Sequence, residues 1–199
     1  MALIQYYFAP QSPWTYLGHL RFWDIARHHG AAIELLPVDL GGKVFPISGG
    51  LPLGKRAPQR QAYRLAELQR FADFLHAPLN LQPKFFPVAA DDAARLIIAV
   101  EQLDGADAAM HITDAVLRAV WVEERNIADE ATLAALLRER EMPARRLEDA
   151  HSQAVQERFE ANTQRAIDAD VFGAPSYVID GEIFWGQDRL DFVERKLAR

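Results

Sequence analysis

The strongest constraint on this chain lies near its end, in the run Gly173-Ala174-Pro175-Ser176-Tyr177-Val178-Ile179-Asp180-Gly181-Glu182-Ile183-Phe184-Trp185. Ser176 to Ile179 carries the aromatic and β-branched residues that favour a strand. Asp180-Gly181 is a dipeptide preferred by two-residue hairpin turns, and Glu182 to Trp185 supplies a second short strand. Pro175 lacks a backbone donor and therefore suits the first residue of a strand. In a tight bend at that point its peptide bond is open to the cis form.

The opposite end of the chain predicts a second unit. Ala2 to Phe8 is a short apolar and aromatic strand ended by Pro10. Ser12-Pro13 then reads as a helix start, with serine at the N-cap and proline at the first helical position. The apolar positions Trp14, Leu17, Leu20, Trp23 and Ile25-Ala26 carry the helix to His28-His29-Gly30, and Ile33 to Val38 is the next strand. Strand, helix and strand in so short a span predict a βαβ unit with a parallel crossover.

Between the two ends the pattern changes. Asp39 to Pro58 is rich in Gly and Pro, carries Lys43, Ser48-Gly49-Gly50, Lys55 and Arg56, and reads as a long loop of the kind that often serves binding. From Gln59 to Asp170 the period is helical. Tyr63, Leu65-Ala66, Leu68, Phe71 and Phe74-Leu75 form one stripe, and further helices are predicted over 91–103, 108–124, 129–141 and 147–169. A final helix is predicted over 188–197. The expected architecture is a four-stranded α/β sheet assembled from both chain ends, with a helical block inserted between strands two and three. Residues 1–58 and 171–199 would form the sheet domain and 59–170 the inserted helical domain.

Composition removes several function classes. The chain has 199 residues and no cysteine, so disulfides, thiolate metal sites and protein-borne dithiol chemistry are excluded. A net charge of −6 argues against general nucleic-acid binding. The longest apolar runs, Leu96 to Val100 and Ala115 to Val122, fall far short of the ~20 residues that cross a bilayer. Met1-Ala2-Leu3-Ile4 runs directly into a strand, with no basic and apolar leader, and a cytoplasmic protein is expected. The six histidines show no metal-binding spacing, and no His/Asp partner for a hydrolase serine is visible.

Two segments together resemble one family. Gly173-Ala174-Pro175 leading a hairpin, followed by Trp185-Gly186-Gln187-Asp188-Arg189, is similar to the C-terminal half of 2-hydroxychromene-2-carboxylate isomerases and of kappa-class glutathione transferases. Phe8-Ala9-Pro10-Gln11-Ser12-Pro13-Trp14-Thr15 matches their N-terminal half. The resemblance implies a thioredoxin-like fold of the DsbA/kappa-class type, with Ser12 and Thr15 standing where redox members carry Cys-x-x-Cys. It further implies glutathione as cofactor, a cis Pro175, and pairing of the Ala174 backbone with the cysteinyl part of glutathione. Asp188 would hold the γ-glutamyl end, and Trp185, Gly186 and Gln187 would line the same site.

In those families the serine contacts the glutathione sulfur, which implies the same for Ser12. A positive helix end and a hydroxyl donor both favour a thiolate over a thiol. Ser12 also reads as a plain N-cap, and one serine can do both. Asp188 reads equally as a cap of the last helix, and Trp185 as a core aromatic. For the second ligand, a small aromatic carboxylate, the resemblance implies Lys43 near its carboxylate and Phe86, in Phe85-Phe86-Pro87, facing its ring. Lys43 as a solvated loop residue and the two phenylalanines as core are the alternatives. Gly50 departs from the family, which places Asn there in a Thr-Gly-Asn-like turn for ligand contact. The implied activity is glutathione-dependent isomerisation by a homodimer. The alternatives are a kappa-class-like transferase or a non-catalytic module that binds an extended peptide along the Ala174-Pro175 edge.

Overall fold

The two ends of the chain meet in one sheet. A computed structural model describes all 199 residues. β1 (Leu3–Phe8) is flanked by β2 (Ala32–Pro37) in parallel and β3 (Ser176–Ile179) in antiparallel pairing, and β4 (Glu182–Trp185) adds to β3, giving the order β2-β1-β3-β4. The crossover from β1 to β2 is α1 (Pro13–His28), capped by Ser12 with Pro13 at its first position. In the hairpin turn Asp180 and Gly181 both have positive φ, 51° and 79°, which is the conformation that Asp-Gly supplies at low cost.

Alternation along the strands builds two apolar layers. Ile4, Tyr6 and Phe8 of β1, Leu35 of β2, and Tyr177 and Ile179 of β3 face one side. There they join a cluster of 34 buried residues that continues through α4 (Asp91–Asp104), α5 (Ala106–Trp121) and α6 (Glu130–Glu139). Tyr7, Leu36 and Val178 face the other side and pack with Val38, Val44, Ala166 and Val171. Ala166 belongs to α8 (Gln153–Asp168), which is also tied to β2 by charge. Both outer nitrogens of Arg165 donate to Glu34, at 2.7 and 2.8 Å, and Arg158 donates to it at 3.0 Å. The Arg165 fork holds the Glu34 carboxyl below its usual range.

Four expectations change. The helix predicted over 147–169 is two, α7 (Arg146–Ala150) and α8, because the Ser152 side chain accepts from Val155 N–H and starts a new helix. The predicted loop after β2 contains short helical turns at Leu40–Val44, Phe45–Ser48 (α2) and Leu53–Lys55. The first is initiated by the Asp39 carboxylate, which accepts from Gly42 N–H at 2.7 Å. In α3 (Pro58–Leu75) the buried residues are Arg64, Leu68 and Ala72, four apart, whereas Tyr63 and Phe74 of the predicted stripe are exposed. The last helix, α9 (Leu190–Leu197), begins after a 3₁₀ turn at Gln187–Arg189.

His19 of α1 locks the helix to both neighbours. It is 1% exposed; its Nε2 lies 3.0 Å from the Met110 carbonyl and so carries the proton, and its Nδ1 lies 3.2 Å from the Tyr6 hydroxyl, from which it accepts. Burial lowers its pKa from 6.5 to about 4. As pH falls, the unfolded chain therefore takes up this proton first, so stability is intact above about pH 6.5 and declines towards pH 4. The full window amounts to about 3 kcal/mol. His19→Phe is expected to lower stability near neutrality while removing roughly that much pH dependence, as read from urea unfolding across the window.

Candidate active site

A cleft of about 460 Å³ opens between the segments flanking the β3–β4 hairpin and α3. One wall is Ala174 and the run Trp185 to Arg189; the other is Arg56 with Gln59, Arg60, Tyr63, Arg64, Glu67 and Phe71. Trp14 in the first turn of α1 joins the walls, its ring meeting Phe71 edge-on at 6.1 Å between centroids. Four arginines against two carboxylates make the lining cationic, although the chain as a whole is anionic. Anionic ligands are the class that this potential favours.

The cleft brings together five of the residues that the sequence singled out: Ala174, Trp185, Gly186, Gln187 and Asp188. The Ala174–Pro175 bond is cis. Pro175 O accepts from Gly186 N–H at 2.9 Å, whereas the N–H and C=O of Ala174 make no hydrogen bond within the chain. Ala174 is 8% exposed, so its two unpaired backbone groups are available to an extended ligand and to little else. Trp185 is 51% exposed and packs on Phe172 at 4.8 Å; it is a lining residue rather than a core aromatic. Asp188 does not cap α9. It sits in the preceding 3₁₀ turn, its carboxylate pairs with Arg189, and α9 begins without a side-chain cap.

Ser12, Pro175, Lys43, Gly50 and Phe86 are not among the lining residues. Ser12 is nearly buried at the start of α1, two residues before Trp14. Its Oγ accepts from Thr15 N–H at 3.3 Å. That bond uses a lone pair and leaves the hydroxyl hydrogen free to donate. Trp14 N–H makes no hydrogen bond within the chain, and the buried Thr15 Oγ1 has no partner. The helix end thus presents several unspent donors, as an anion requires. Lys43 is exposed on the turn after β2 and makes no ion pair. Phe86 is half-buried against Trp121, ring centroids 4.7 Å apart, and precedes a second cis proline.

Gly50 has a packing role that the sequence concealed. A Cβ at this position would meet the Phe45 ring, 2.7 Å from Cγ and closer still to Cδ1. Phe45 in turn lies under Arg56, whose guanidinium carbon is 6.0 Å from the ring centroid, and Arg56 lines the cleft.

The sequence reading missed Arg64. It is 8% exposed on α3, with its guanidinium over the Phe86 ring at 5.3 Å and the Trp121 ring at 5.8 Å. The one available signal was its spacing, four residues before Leu68 and eight before Ala72 on the buried stripe.

A mixed four-stranded sheet, a capped helix opening beside a cis proline, and helices inserted between β2 and β3 define a thioredoxin-like protein of the DsbA type. The model of the DSBA-like thioredoxin domain matches residues 3–198, and the chain belongs to that family. Within it the chain groups with the 2-hydroxychromene-2-carboxylate isomerases. It is 31% identical to the 2-hydroxychromene-2-carboxylate isomerase of Pseudomonas putida over 202 residues, 99% of this chain and 95% of that one. The solved structure of a 2-hydroxychromene-2-carboxylate isomerase superposes with a TM-score of 0.81 at 27% identity, covering 99% of this chain and 95% of the other. The cytosolic disulfide reductase DsbM from Pseudomonas aeruginosa, solved with GSH, shares the fold with a TM-score of 0.69 at 18% identity, covering 99% and 100%.

Gly50→Asn introduces the side chain that the resemblance implied at this position, yet here it is expected to destabilise the fold by about 1–3 kcal/mol. Gly50→Ala should do the same, since the clash begins at Cβ. Chemical denaturation of both variants checks this; an Asn tolerated without loss would show that Phe45 moves freely.

Proposed function

We propose that this chain is a glutathione-dependent 2-hydroxychromene-2-carboxylate isomerase, interconverting 2-hydroxychromene-2-carboxylate and trans-o-hydroxybenzylidenepyruvate. The observation that carries this reading is the start of α1. In a chain without cysteine, the helix end that holds a thiol in redox members of the superfamily bears Ser12 instead. The sulfur must then come with a ligand. The unpaired backbone of Ala174 and the cationic lining support a ligand that is both peptide-like and anionic.

When bound, glutathione supplies a thiol whose reversible addition to the conjugated acid converts a double bond into a single bond free to rotate. The protein groups have separate tasks. Ser12 donates its hydroxyl hydrogen, and the N-terminal amides of α1 add their positive potential, so that an anion in front of the helix is favoured over its protonated form. Ala174 offers one donor and one acceptor to a peptide backbone. Asp188 receives an ammonium group, with Trp185, Gly186 and Gln187 forming the surface around it. Arg56 and Arg60 raise the affinity for carboxylates on the facing wall. Trp14, Tyr63 and Phe71, which line the cleft, provide an aromatic surface for the substrate ring.

A spectrophotometric isomerisation assay with and without added glutathione tests the reading. Interconversion should stay at the uncatalysed rate without glutathione and appear on its addition; build-up of a glutathione conjugate in place of the isomer would mark a transferase. Ser12→Ala should reduce turnover about 10- to 100-fold, the worth of a hydrogen bond to a charged group. The loss of its capping bond should cost only about 1 kcal/mol of stability. Unaltered turnover with that stability loss would leave Ser12 as a cap alone. Asp188→Ala should weaken glutathione binding, measured calorimetrically, more than it slows turnover at saturating glutathione.

A further inference from the structure

We propose that Arg64 receives the carboxylate of the aromatic substrate and gives the cleft its preference for acids over neutral ligands of the same shape. The substrate's identity rests on the isomerase reading; the recognition of an aryl carboxylate does not.

Buried charged side chains are ordinarily paired. Arg64 is an exception. It is more than nine-tenths buried, and its guanidinium makes neither a hydrogen bond nor an ion pair. Glu67, the carboxylate one turn further along α3, lines the same cleft without pairing with it. Burial lowers the pKa of Arg64 to about 10, and the like charge of nearby Arg56 acts in the same direction. The group is therefore still protonated at neutral pH, with five N–H donors in a planar fork and no acceptor for them within the protein. An anion delivered by a ligand would complete it, and a carboxylate matches the fork with two parallel hydrogen bonds.

The surroundings select among carboxylates. The guanidinium rests over the rings of Phe86 and the fully buried Trp121, and the cleft that it shares is lined by Trp14, Tyr63 and Phe71, so one cavity offers a cation together with aromatic surface. An aromatic ring bearing a short acidic arm satisfies both. The other cationic groups of the lining are less suited. Arg189 is paired with Asp188, the Nε of Arg56 donates to the Leu51 carbonyl at 2.8 Å, and Arg60 is exposed to water. Charge held away from water attracts more strongly than charge left in it. This places on Arg64 the role that the family resemblance assigned to Lys43.

A carboxylate could also come from glutathione, so the test separates the two sources. Dissociation constants of trans-cinnamate and of its neutral amide, trans-cinnamamide, are measured calorimetrically on the intact chain, alongside that of glutathione. The wild type should prefer the acid. Arg64→Met, which keeps most of the stem against the rings, should weaken cinnamate roughly 10- to 100-fold. Neutral cinnamamide, and glutathione held on the facing wall where Arg64 acts on it only through solvent, should each change by less than about threefold, the worth of a solvent-screened pair. Arg64→Gln carries the same expectation and serves if circular dichroism shows that the Met variant is unfolded. An acid-to-amide ratio equal to that of the wild type in a folded variant would overturn the proposal. So would a loss that falls on glutathione and spares cinnamate. Because the probes need only bind, an absence of isomerase activity would refute the proposed reaction and leave this result readable.

Discussion

The site depends on the antiparallel pairing of β1 with β3, in which Gln5, Tyr6 and Tyr7 meet Val178, Tyr177 and Ser176. These residues come from opposite ends of the chain, and only this ladder sets the bend before β3 beside the start of α1. The pairing is stabilised from one face by stacked rings: Tyr6 and Tyr177 lie 5.4 Å apart at 4°, with Phe22 packed on both at 4.7 and 4.6 Å. Full burial of each such ring contributes on the order of 2 kcal/mol, and loop-closure entropy rises only slowly with the length of the intervening segment. A long helical insertion is therefore compatible with a precise junction.

Charge at the cleft runs against charge on the chain. A net charge of −6 averages over a surface on which acidic and basic residues are unevenly spread. α3 gathers Arg60 and Arg64 on the wall that faces the sheet, and the preceding turn adds Arg56. A small anionic molecule responds to that local field and not to the total. The lining also mixes two kinds of recognition: unpaired backbone at Ala174, and a cation at Arg64 among the rings of Trp14, Tyr63 and Phe71.

Much of the fold was legible because its signals are local. The Asp180-Gly181 turn, the Ser12-Pro13 helix start and the strand ended by Pro10 each follow from the conformational limits of a few adjacent residues, and each is present. The division of 147–169 into α7 and α8 is also a local event, but Ser152 is one polar residue within a helical pattern and its capping bond is decided only when the neighbouring helices dock. The face of α3 was misjudged for a related reason. Periodicity identifies apolar residues, and here the tertiary packing buries a charged one while leaving Tyr63 and Phe74 in water.

The amino-acid sequence by itself determined the order of elements, the hairpin with its leading proline, the absence of any protein thiol, and a serine followed by proline at the start of the first helix. Backbone propensity, turn chemistry and elemental composition suffice for those conclusions because they involve no distant partner. Tertiary structure alone decided which residues share a cleft, that Gly50 is held by the Phe45 ring, and that Arg64 lies buried without a counter-ion. Those are properties of groups brought together from separate elements, and the energy of an unpaired charge depends on what surrounds it in space rather than on what precedes it in the chain.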